Sequence, residues 1–187
     1  MKYTWKCLRC QRFEQDGYAI VPLRPEHIEP IRRWRNAQLD VLRQAAPISP
    51  AQQEAYFAQN IWPSMERESP SNILMGLLLG HRLIGYGGVV HVSWADRRAE
   101  MSFLMDDARA QRPDVYARDF STFIGLVRRM AFDDLDLHRV FTETYAIRHH
   151  HIGVLEAAGF QREGVLRDHV RIGGAFVDSI MHGMVRE

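Results

Sequence analysis

Two carboxylates lie in stretches that otherwise have the composition of buried strands. Glu143 is in the middle of one stretch, and Glu100 begins the other, which ends at Met105. A carboxylate inside a buried strand costs on the order of several kcal/mol unless it is paired or lines a cleft. Glu143 therefore needs an explanation, and Glu100, which enters the neighbouring strand, is a second carboxylate that could accept a proton, directly or through a water. A salt bridge of Glu100 to Arg97 or Arg98 is an equally good explanation of that residue.

The elements that position Glu143 are a strand and the helix that follows it. Residues 138–145 are rich in β-branched and aromatic types, which predicts a short buried strand. Apolar residues then recur at helical spacing over 147–158, and Gly159 ends the helix. Side chains alternate along a strand, so Glu143 and Tyr145 share one face of it.

The remaining pattern predicts a sheet with helices around it. We expect strands over 18–23, 73–79, 82–90, 99–105, 160–171 and 175–185, and helices that begin at Pro25 and Pro50 and cover 121–134. A two-residue turn at Gly80-His81 makes a hairpin of two of these strands. Gly85, Gly87 and Gly88 remove side chains where a ligand or a neighbouring backbone comes close, or else mark a bulge.

Composition limits the classes of protein to consider. The 187 residues are 46% hydrophobic with a net charge of +1, which suits one folded domain and gives no general attraction to nucleic acid or membranes. No apolar run is long enough to cross a bilayer, and the N-terminus is too polar for a secretory signal. We expect a cytoplasmic protein with an N-terminal lead over 1–17 and a single domain over 18–187.

The metal-binding residue types do not form a recognisable site. Cys7 and Cys10 make a Cys-x-x-Cys pair, but the sequence has two cysteines in total and the pair does not begin a helix. We expect two reduced thiols without a catalytic role. His149, His150 and His151 are consecutive on a helix and point in three directions, so no metal site is predicted.

Two strings in the C-terminal part have a familiar order. HRVFTETYAIRHHHIGVLEAAGFQREGVLRDHV covers 138–170, and GGAFVDSIMHGMV covers 173–185. Together they resemble the GNAT superfamily of acyl-CoA-dependent N-acyltransferases, in the branch of ribosomal-protein and amino-sugar acetyltransferases, with similarity over about 18–187. The resemblance implies an α/β (α+β) fold with a mixed, mostly antiparallel central sheet and helices on both faces.

The resemblance also implies acetyl-CoA as co-substrate and a small amine as acceptor, and it allows a homodimer. Backbone groups of Leu104 and Met105 would bind the acyl carbonyl. The phosphate-binding loop aligns with 115–120, which has no glycine, so we expect a helix N-terminus and cationic side chains to hold the pyrophosphate. The cofactor candidates are Arg112, Tyr116, Ala117, Arg118, Asp119, Phe120 and Arg148, and Asp119 would repel phosphates if the site were lost.

The resemblance assigns Glu143 as the general base. The family tyrosine that protonates the leaving group is replaced by Leu155, so Tyr145 would substitute, although a thiolate needs little protonation because a thiol is much more acidic than an amine.

The acceptor is predicted from the N-terminal half. Trp34-Arg35-Asn36, then Arg43 and Pro47-Ile48-Ser49, resemble amino-sugar N-acetyltransferases that act on nucleotide-linked sugars. Arginine suits the diphosphate of such a substrate, but Trp34 at helical spacing could equally be a core residue. Further acceptor candidates are His91 and, with His182, Asp178.

Two alternatives to the amino-sugar acceptor are open. One is a protein N-terminal amine. The other is a non-catalytic binding module built on a degenerate acyltransferase fold, which cofactor binding would distinguish from an enzyme because a module without CoA gains no stability from it.

Overall fold

The computed structural model describes residues 3–42, 44 and 46–187. They build one eight-stranded sheet with the spatial order β1-β2-β3-β4-β5-β6-β8-β7. The strands are β1 (Phe13–Gln15), β2 (Tyr18–Pro22), β3 (Ile73–Leu79), β4 (Arg82–Ser93), β5 (Arg98–Met105), β6 (Arg139–Tyr145), β7 (Gln161–Ile172) and β8 (Ala175–Val185). The β5–β6 pair is parallel and the other pairs are antiparallel, which confirms the predicted mixed, mostly antiparallel sheet.

Helices pack on both faces of this sheet. They are α1 (Ile28–Ala37), α2 (Pro50–Tyr56), α3 (Trp62–Met65), α4 (Asp107–Ala110), α5 (Pro113–Arg129) and α6 (His149–Ala157), with π-helical turns over Phe57–Ile61 and Met130–Asp134. Tyr86 of β4 meets Arg35 of α1 on one face. On the opposite face Phe103 of β5 packs against Phe120 and Phe123 of α5.

The strands β5 and β6 diverge, and this divergence creates the cleft of the molecule. Their parallel pairing joins Arg98 to Arg139 and ends where Glu100 meets Phe141. Beyond that point β5 stays paired with β4 and β6 stays paired with β8. The carboxyl-terminal halves of β5 and β6 therefore present backbone groups to a gap.

The N-terminal lead is packed against the rest of the chain. Trp5 is 1% exposed, and its indole Nε1 donates to the carbonyl of Leu74 at 3.2 Å. Phe13 is also buried, and β1 extends the sheet at its edge beside β2. The thiol of Cys7 has its pKa raised to about 11, chiefly by burial, so it is protonated at neutral pH.

The glycines of β4 permit close contact between strands. A Cβ on Gly87 would lie 2.0 Å from the carbonyl oxygen of Ser102, and a Cβ on Gly88 would lie 2.1 Å from that of Ile73. Gly88 also has a φ of 144°, which L side chains rarely adopt. Close approach of neighbouring backbone describes Gly87 and Gly88, and the pairing of β3 with β4 also shifts register next to Gly85, so both explanations offered by the sequence apply.

Candidate active site

A cavity of about 210 Å³ occupies the gap between β5 and β6. Its lining includes both candidate bases, Glu100 and Glu143, together with Ser102, Tyr145 and Arg35. Parallel pairing puts Glu100 on the same face as Phe141, and period-two alternation then puts Glu143 and Tyr145 on that face as well. Two carboxylates thus face one cavity from neighbouring strands, as the sequence predicts.

Glu143 is held by residues from the last two strands. The hydroxyl of Ser179, which is fully buried, donates to its Oε1 at 2.9 Å. His169 Nε2 lies 3.6 Å from the same oxygen. The glutamate side chain is 14% exposed. Its position on β6 and these contacts direct the carboxylate into the cleft instead of into the core.

Glu100 is held by a histidine on the adjacent strand. His91 Nδ1 lies 2.8 Å from Glu100 Oε2, and the glutamate side chain is 12% exposed. The two arginines proposed as partners point elsewhere: Arg97 pairs with Asp136 at 2.8 Å, and Arg98 with Asp96. The carboxylate of Glu100 therefore lies between the cleft and His91.

A second cavity, of about 430 Å³, lies beside the first, between α1, α2 and the sheet. Arg35 lines both cavities. Its guanidinium donates to Tyr86 Oη at 2.8 Å and to Gln44 Oε1 at 2.9 Å, and this fixes the side chain at their boundary. Burial raises the pKa of Tyr86, so its hydroxyl stays neutral beside the arginine.

A third cavity, of about 660 Å³, opens near the N-terminal ends of α5 and α6. Arg148, the N-cap residue of α6, lines it and also lines the cleft. Arg148 Nη2 lies 3.4 Å from both Tyr116 Oη and His151 Nδ1. Tyr116 and His151 border the same cavity, and their side chains are joined by a hydrogen bond of 2.5 Å.

Burial keeps the Tyr116–His151 pair neutral. It raises the pKa of Tyr116 to about 12. Burial also lowers the pKa of His151 well below its usual range, and the nearby charge of Arg148 adds to the effect. At neutral pH Arg148 is therefore the cation of this group.

The comparisons with known proteins decide the family. Residues 20–181 match the family described as the acetyltransferase (GNAT) domain. The match covers more than half of the sequence. This chain belongs to the GNAT acetyltransferase family.

Solved structures of acetyltransferases share the fold. Spermidine N-acetyltransferase from Vibrio cholerae in complex with CoA and spermine has a TM-score of 0.79 and 17% sequence identity, over 91% of this chain and 96% of that one. A dodecameric structure of spermidine N-acetyltransferase from Vibrio cholerae in an intermediate state has a TM-score of 0.74 and 16% identity, over 91% and 95% of the two chains. At these identities the likeness establishes the fold alone. No curated protein matches the sequence.

The protein is therefore an acyl-CoA-dependent N-acetyltransferase, not a non-catalytic module, and acetyl-CoA is its co-substrate. The amide of Asp106 donates to Ile84 of β4 at 2.9 Å, so period-two alternation turns the backbone of Leu104 toward β4 and that of Phe103 and Met105 toward the gap. Of the two predicted backbone residues, Met105 faces the gap and Leu104 does not, and Phe103 was missed.

Met105 has one further contact at the gap. Its carbonyl accepts a hydrogen bond of 2.8 Å from the side-chain amide of Gln38, which follows α1. The carbonyl that closes the exposed end of β5 is thus already satisfied by the protein.

The predicted phosphate loop over 115–120 is wrong, because these residues lie in the N-terminal half of α5. The helix begins at Pro113, and Arg112 is its N-cap residue. Proline is favourable at the first position of a helix, and no glycine in this stretch favours a loop. Tyr116 still borders the third cavity, and Phe120 is fully buried beside the cleft.

Two residues of that stretch face away from the cleft. Asp119 is fully buried and pairs with Arg109 at 2.7 Å, and the hydroxyl of Tyr18 donates to its other oxygen. Arg118 Nε donates to the same hydroxyl at 3.1 Å. Asp119 and Arg118 therefore belong to a structural network with β2 and α4, in which the buried carboxylate of Asp119 is paired away from the cleft. Ala117, between Tyr116 and Arg118, is half-buried within the helix.

The acceptor triplet on α1 keeps one member at the site. Trp34 is 6% exposed and belongs to the core, which is the alternative the sequence left open. The side chain of Asn36 bonds to both the carbonyl and the amide of Ile48, so it fastens the segment before α2. Arg35 alone reaches the cavities, and Arg43 lies outside the described residues.

The final hairpin contributes structure around the cleft. Asp178 accepts a hydrogen bond from the amide of Asp168 at 2.8 Å and thereby stabilises a bulge in β7. His182 is fully buried and contacts Glu156 of α6 at 3.2 Å. Structural hydrogen bonding is thus the role observed for both residues. Leu155, in place of the family tyrosine, is fully buried.

Sequence reasoning missed His169 and Ser179, the neighbours of Glu143. Both come from the last hairpin, and only the register that pairs Tyr145 with Ser179 brings them to β6. Among the described residues no group of three or more histidine, cysteine, aspartate or glutamate side chains could hold a metal ion. Within that same part of the chain, no helix has the length and apolar character needed to cross a bilayer.

Proposed function

We propose that this acetyltransferase transfers the acetyl group of acetyl-CoA to the primary amine of a small acceptor that also carries an anionic group, with a nucleotide-linked amino sugar as the substrate class. The observation that carries the proposal is Arg35, which lines both the cleft and the adjacent cavity. An amine bound between the cleft carboxylates would then have its anionic group next to a fixed guanidinium.

The charges in the two cavities support an acceptor that has an amine at one end and an anionic group at the other. Glu100 and Glu143 line the cleft and attract an ammonium group. The adjacent cavity contains Arg35 but no acidic side chain among its described lining residues. Arginine binds phosphate and carboxylate groups with two parallel hydrogen bonds, and this arrangement favours an anion over a second amine.

A polyamine is the acceptor named for the structural neighbours, and the same charges argue against it here. A second ammonium 4 Å from Arg35 would be repelled by about 4 kcal/mol at the effective dielectric constant of a protein surface. In the adjacent cavity the carbon chain of a polyamine would lie beside Tyr86, which is buried and neutral. No acidic side chain among the described lining residues would pair with its second ammonium.

The walls of the adjacent cavity suit an aromatic or sugar ring. Pro47, Ile48 and Phe57 supply apolar surface, and Tyr56, which is 45% exposed, is available at the rim. Gln52 lines the same cavity and carries an amide that can hydrogen-bond a base or a sugar hydroxyl. Such a mixture of apolar walls and a few polar groups is typical of small-molecule sites.

The chemistry follows from binding both substrates together. The ammonium binds between the cleft carboxylates Glu143 and Glu100 and loses a proton to a base at the cleft, and the neutral amine attacks the thioester carbon. The amides of Phe103 and Met105, turned toward the gap, are the donors for the developing oxyanion. Tyr145, 8% exposed at the end of β6, remains our candidate to protonate the leaving sulfur. Neither cysteine takes part.

The test is steady-state acetylation of three amines: a uridine-diphosphate-linked sugar with a free primary amine, spermidine, and a peptide with an unblocked N-terminal alanine. We expect the highest kcat/KM with the nucleotide-linked sugar. Arg35→Gln should raise the KM for that acceptor about tenfold, the effect of losing one charge-assisted contact, without changing the KM for acetyl-CoA.

The matched control is Arg33→Gln on the same helix. Arg33 is 73% exposed in its side chain and pairs with Glu29, away from both cavities. A preference for spermidine that is unaffected by Arg35→Gln would overturn the anionic acceptor. A preference for the peptide would favour the protein N-terminal alternative.

Two further expectations remain proposals. We expect a homodimer, which the mass of the purified protein in light scattering can test. We also expect a cytoplasmic location, which fractionation of cells that produce the protein can test.

A further inference from the structure

His91 lies in an irregular part of β4, next to Val90, which lines the cleft. The pairing of β4 with β5 shifts register between Val90 and Ser93, which is a β-bulge. His91 has a φ of 52°, a left-handed conformation that few residues other than glycine adopt. Its amide is held by the side chain of Asn72 at 3.2 Å. Bulges of this kind re-aim side chains and are common beside active sites.

The re-aimed imidazole meets a carboxylate of the cleft. Its Nδ1 lies 2.8 Å from Oε2 of Glu100, which lines the cavity between β5 and β6. The imidazole side chain is 64% exposed, whereas the Glu100 side chain is 12% exposed. The histidine therefore connects a carboxylate that lines the cleft with the solvent.

We propose that His91 is the general base of this acetyltransferase and that Glu100 is its positioning residue. Glu100 accepts a hydrogen bond from Nδ1–H of His91, and this leaves the lone pair of Nε2 to accept a proton. The incoming R–NH3⁺ breaks one N–H bond and transfers that proton to Nε2. The neutral amine then attacks the thioester carbon, and a C–N bond forms as the C–S bond breaks. The second proton of the amine passes to the leaving thiolate of CoA, and the imidazolium, stabilised by the carboxylate, releases its proton to water.

The second glutamate of the cleft has a different environment. Glu143 accepts a hydrogen bond from the buried Ser179 hydroxyl at 2.9 Å, and His169 is 3.6 Å away. That distance exceeds a hydrogen bond. In this proposal Glu143 binds the ammonium, and the short His91–Glu100 contact marks the base. This inference rests on acetyl transfer to an amine and not on the identity of the acceptor.

The first test needs no acceptor. The ¹⁵N chemical shifts of the imidazole ring in the full chain report which nitrogen carries the proton. We expect the Nδ1–H tautomer for His91 in the wild type and its loss in Glu100→Gln. An Nε2–H tautomer in the wild type would overturn the proposal, because that nitrogen could then accept no proton.

The second test is kinetic. With the best acetylated of the three probe amines, His91→Gln should lower kcat/KM by about 100-fold, the usual range for a general base. Imidazole added to the buffer should restore at least part of that rate, which it could not do for a purely structural defect. The melting temperature should stay unchanged.

The matched control is His81→Gln, in the exposed turn between β3 and β4, with an expected rate equal to the wild type. A His91→Gln enzyme at the wild-type rate would overturn the assignment. Rescue by imidazole in His169→Gln instead of His91→Gln would transfer the role to the Glu143 pair.

Discussion

Asp119 and Arg109 form an ion pair of 2.7 Å in which the carboxylate is fully buried. The other carboxylate oxygen accepts a hydrogen bond from Tyr18 at 2.7 Å. The pair thus joins α4, α5 and β2 at one point. The hydrogen bond to Asp119 also raises the pKa of Arg109. A buried pair of this kind fixes the packing angle of α5, on which the cleft depends.

We expect Asp119→Asn to destabilise the protein by about 3 kcal/mol, because removing one partner leaves a half-buried guanidinium without its counter-charge. Urea unfolding followed by circular dichroism measures the difference. Asp114→Asn, in the first turn of the same helix with a 74% exposed side chain, is the control and should change the free energy of unfolding little. Equal effects of the two variants would contradict the structural role of Asp119.

The same residue shows where sequence reasoning failed. The loop over 115–120 was predicted by alignment with a family motif whose glycines this chain lacks. The residues themselves indicate a helix: Pro113 is a favourable first position, and Tyr116 and Phe120, four residues apart, are buried on one side. Local physical signals were a better guide to this segment than the resemblance.

The candidate bases could be predicted because a carboxylate in a strand is costly. Glu143 was identified on that ground and Glu100 from its place at the start of the neighbouring strand, and both line the cleft. Their partners could not be predicted, because His169 reaches Glu143 through a bulge in a distant strand. Bulge positions depend on register, which period-two patterns do not specify.

The stability of the fold should depend on pH through His151. Burial lowers its pKa well below the unfolded value of about 6.5. Below that pH the unfolded chain binds a proton that the folded chain does not, so the free energy of unfolding falls by up to about 1.4 kcal/mol per pH unit until the lowered pKa is reached. The charged or titratable groups that act on it are Arg148, His182 and His150.

His151→Phe removes this dependence while retaining an aromatic ring against Phe120, whose centroid is 4.4 Å away. We expect the variant to lose less melting temperature than the wild type between about pH 6.5 and pH 5. This is the pH range in which the unfolded chain takes up the proton and the folded chain does not. The slope should not vanish, because burial also lowers the pKa of His27. An unchanged slope would show that the imidazole of His151 is protonated in the folded protein.

Gly87 should tolerate no side chain, whereas Gly153 should accept one. An added Cβ at Gly87 meets backbone at 2.0 Å, so Gly87→Ala should destabilise by about 1 to 3 kcal/mol through overpacking. Gly153 lies in α6 with no atom within 4 Å of such a Cβ, so Gly153→Ala should stabilise by up to about 1 kcal/mol. Denaturant midpoints measure both. A neutral Gly87→Ala would contradict the close approach of β4 and β5.

The position of the pyrophosphate can be tested with two arginines. Arg148 lines both the cleft and the cavity at the N-terminus of α6, whereas Arg118 points toward Tyr18. Acetyl-CoA should raise the melting temperature of the wild type with concentration, because it binds only the folded state. Arg148→Gln should lower the affinity about tenfold, which removes about 1.4 kcal/mol and some 3 to 5 °C of that rise.

Arg118→Gln is the control. If the glycine-free stretch over 115–120 were the phosphate site, the pyrophosphate would need the side chain of Arg118 for binding. It should retain the full rise in melting temperature, even if loss of its hydrogen bond to Tyr18 lowers the starting value. The ligand-dependent rise separates binding from stability, because it is measured relative to each variant without acetyl-CoA. Loss of the rise in Arg118→Gln but not in Arg148→Gln would mean that the phosphates lie against the side of α5 and not at the start of α6.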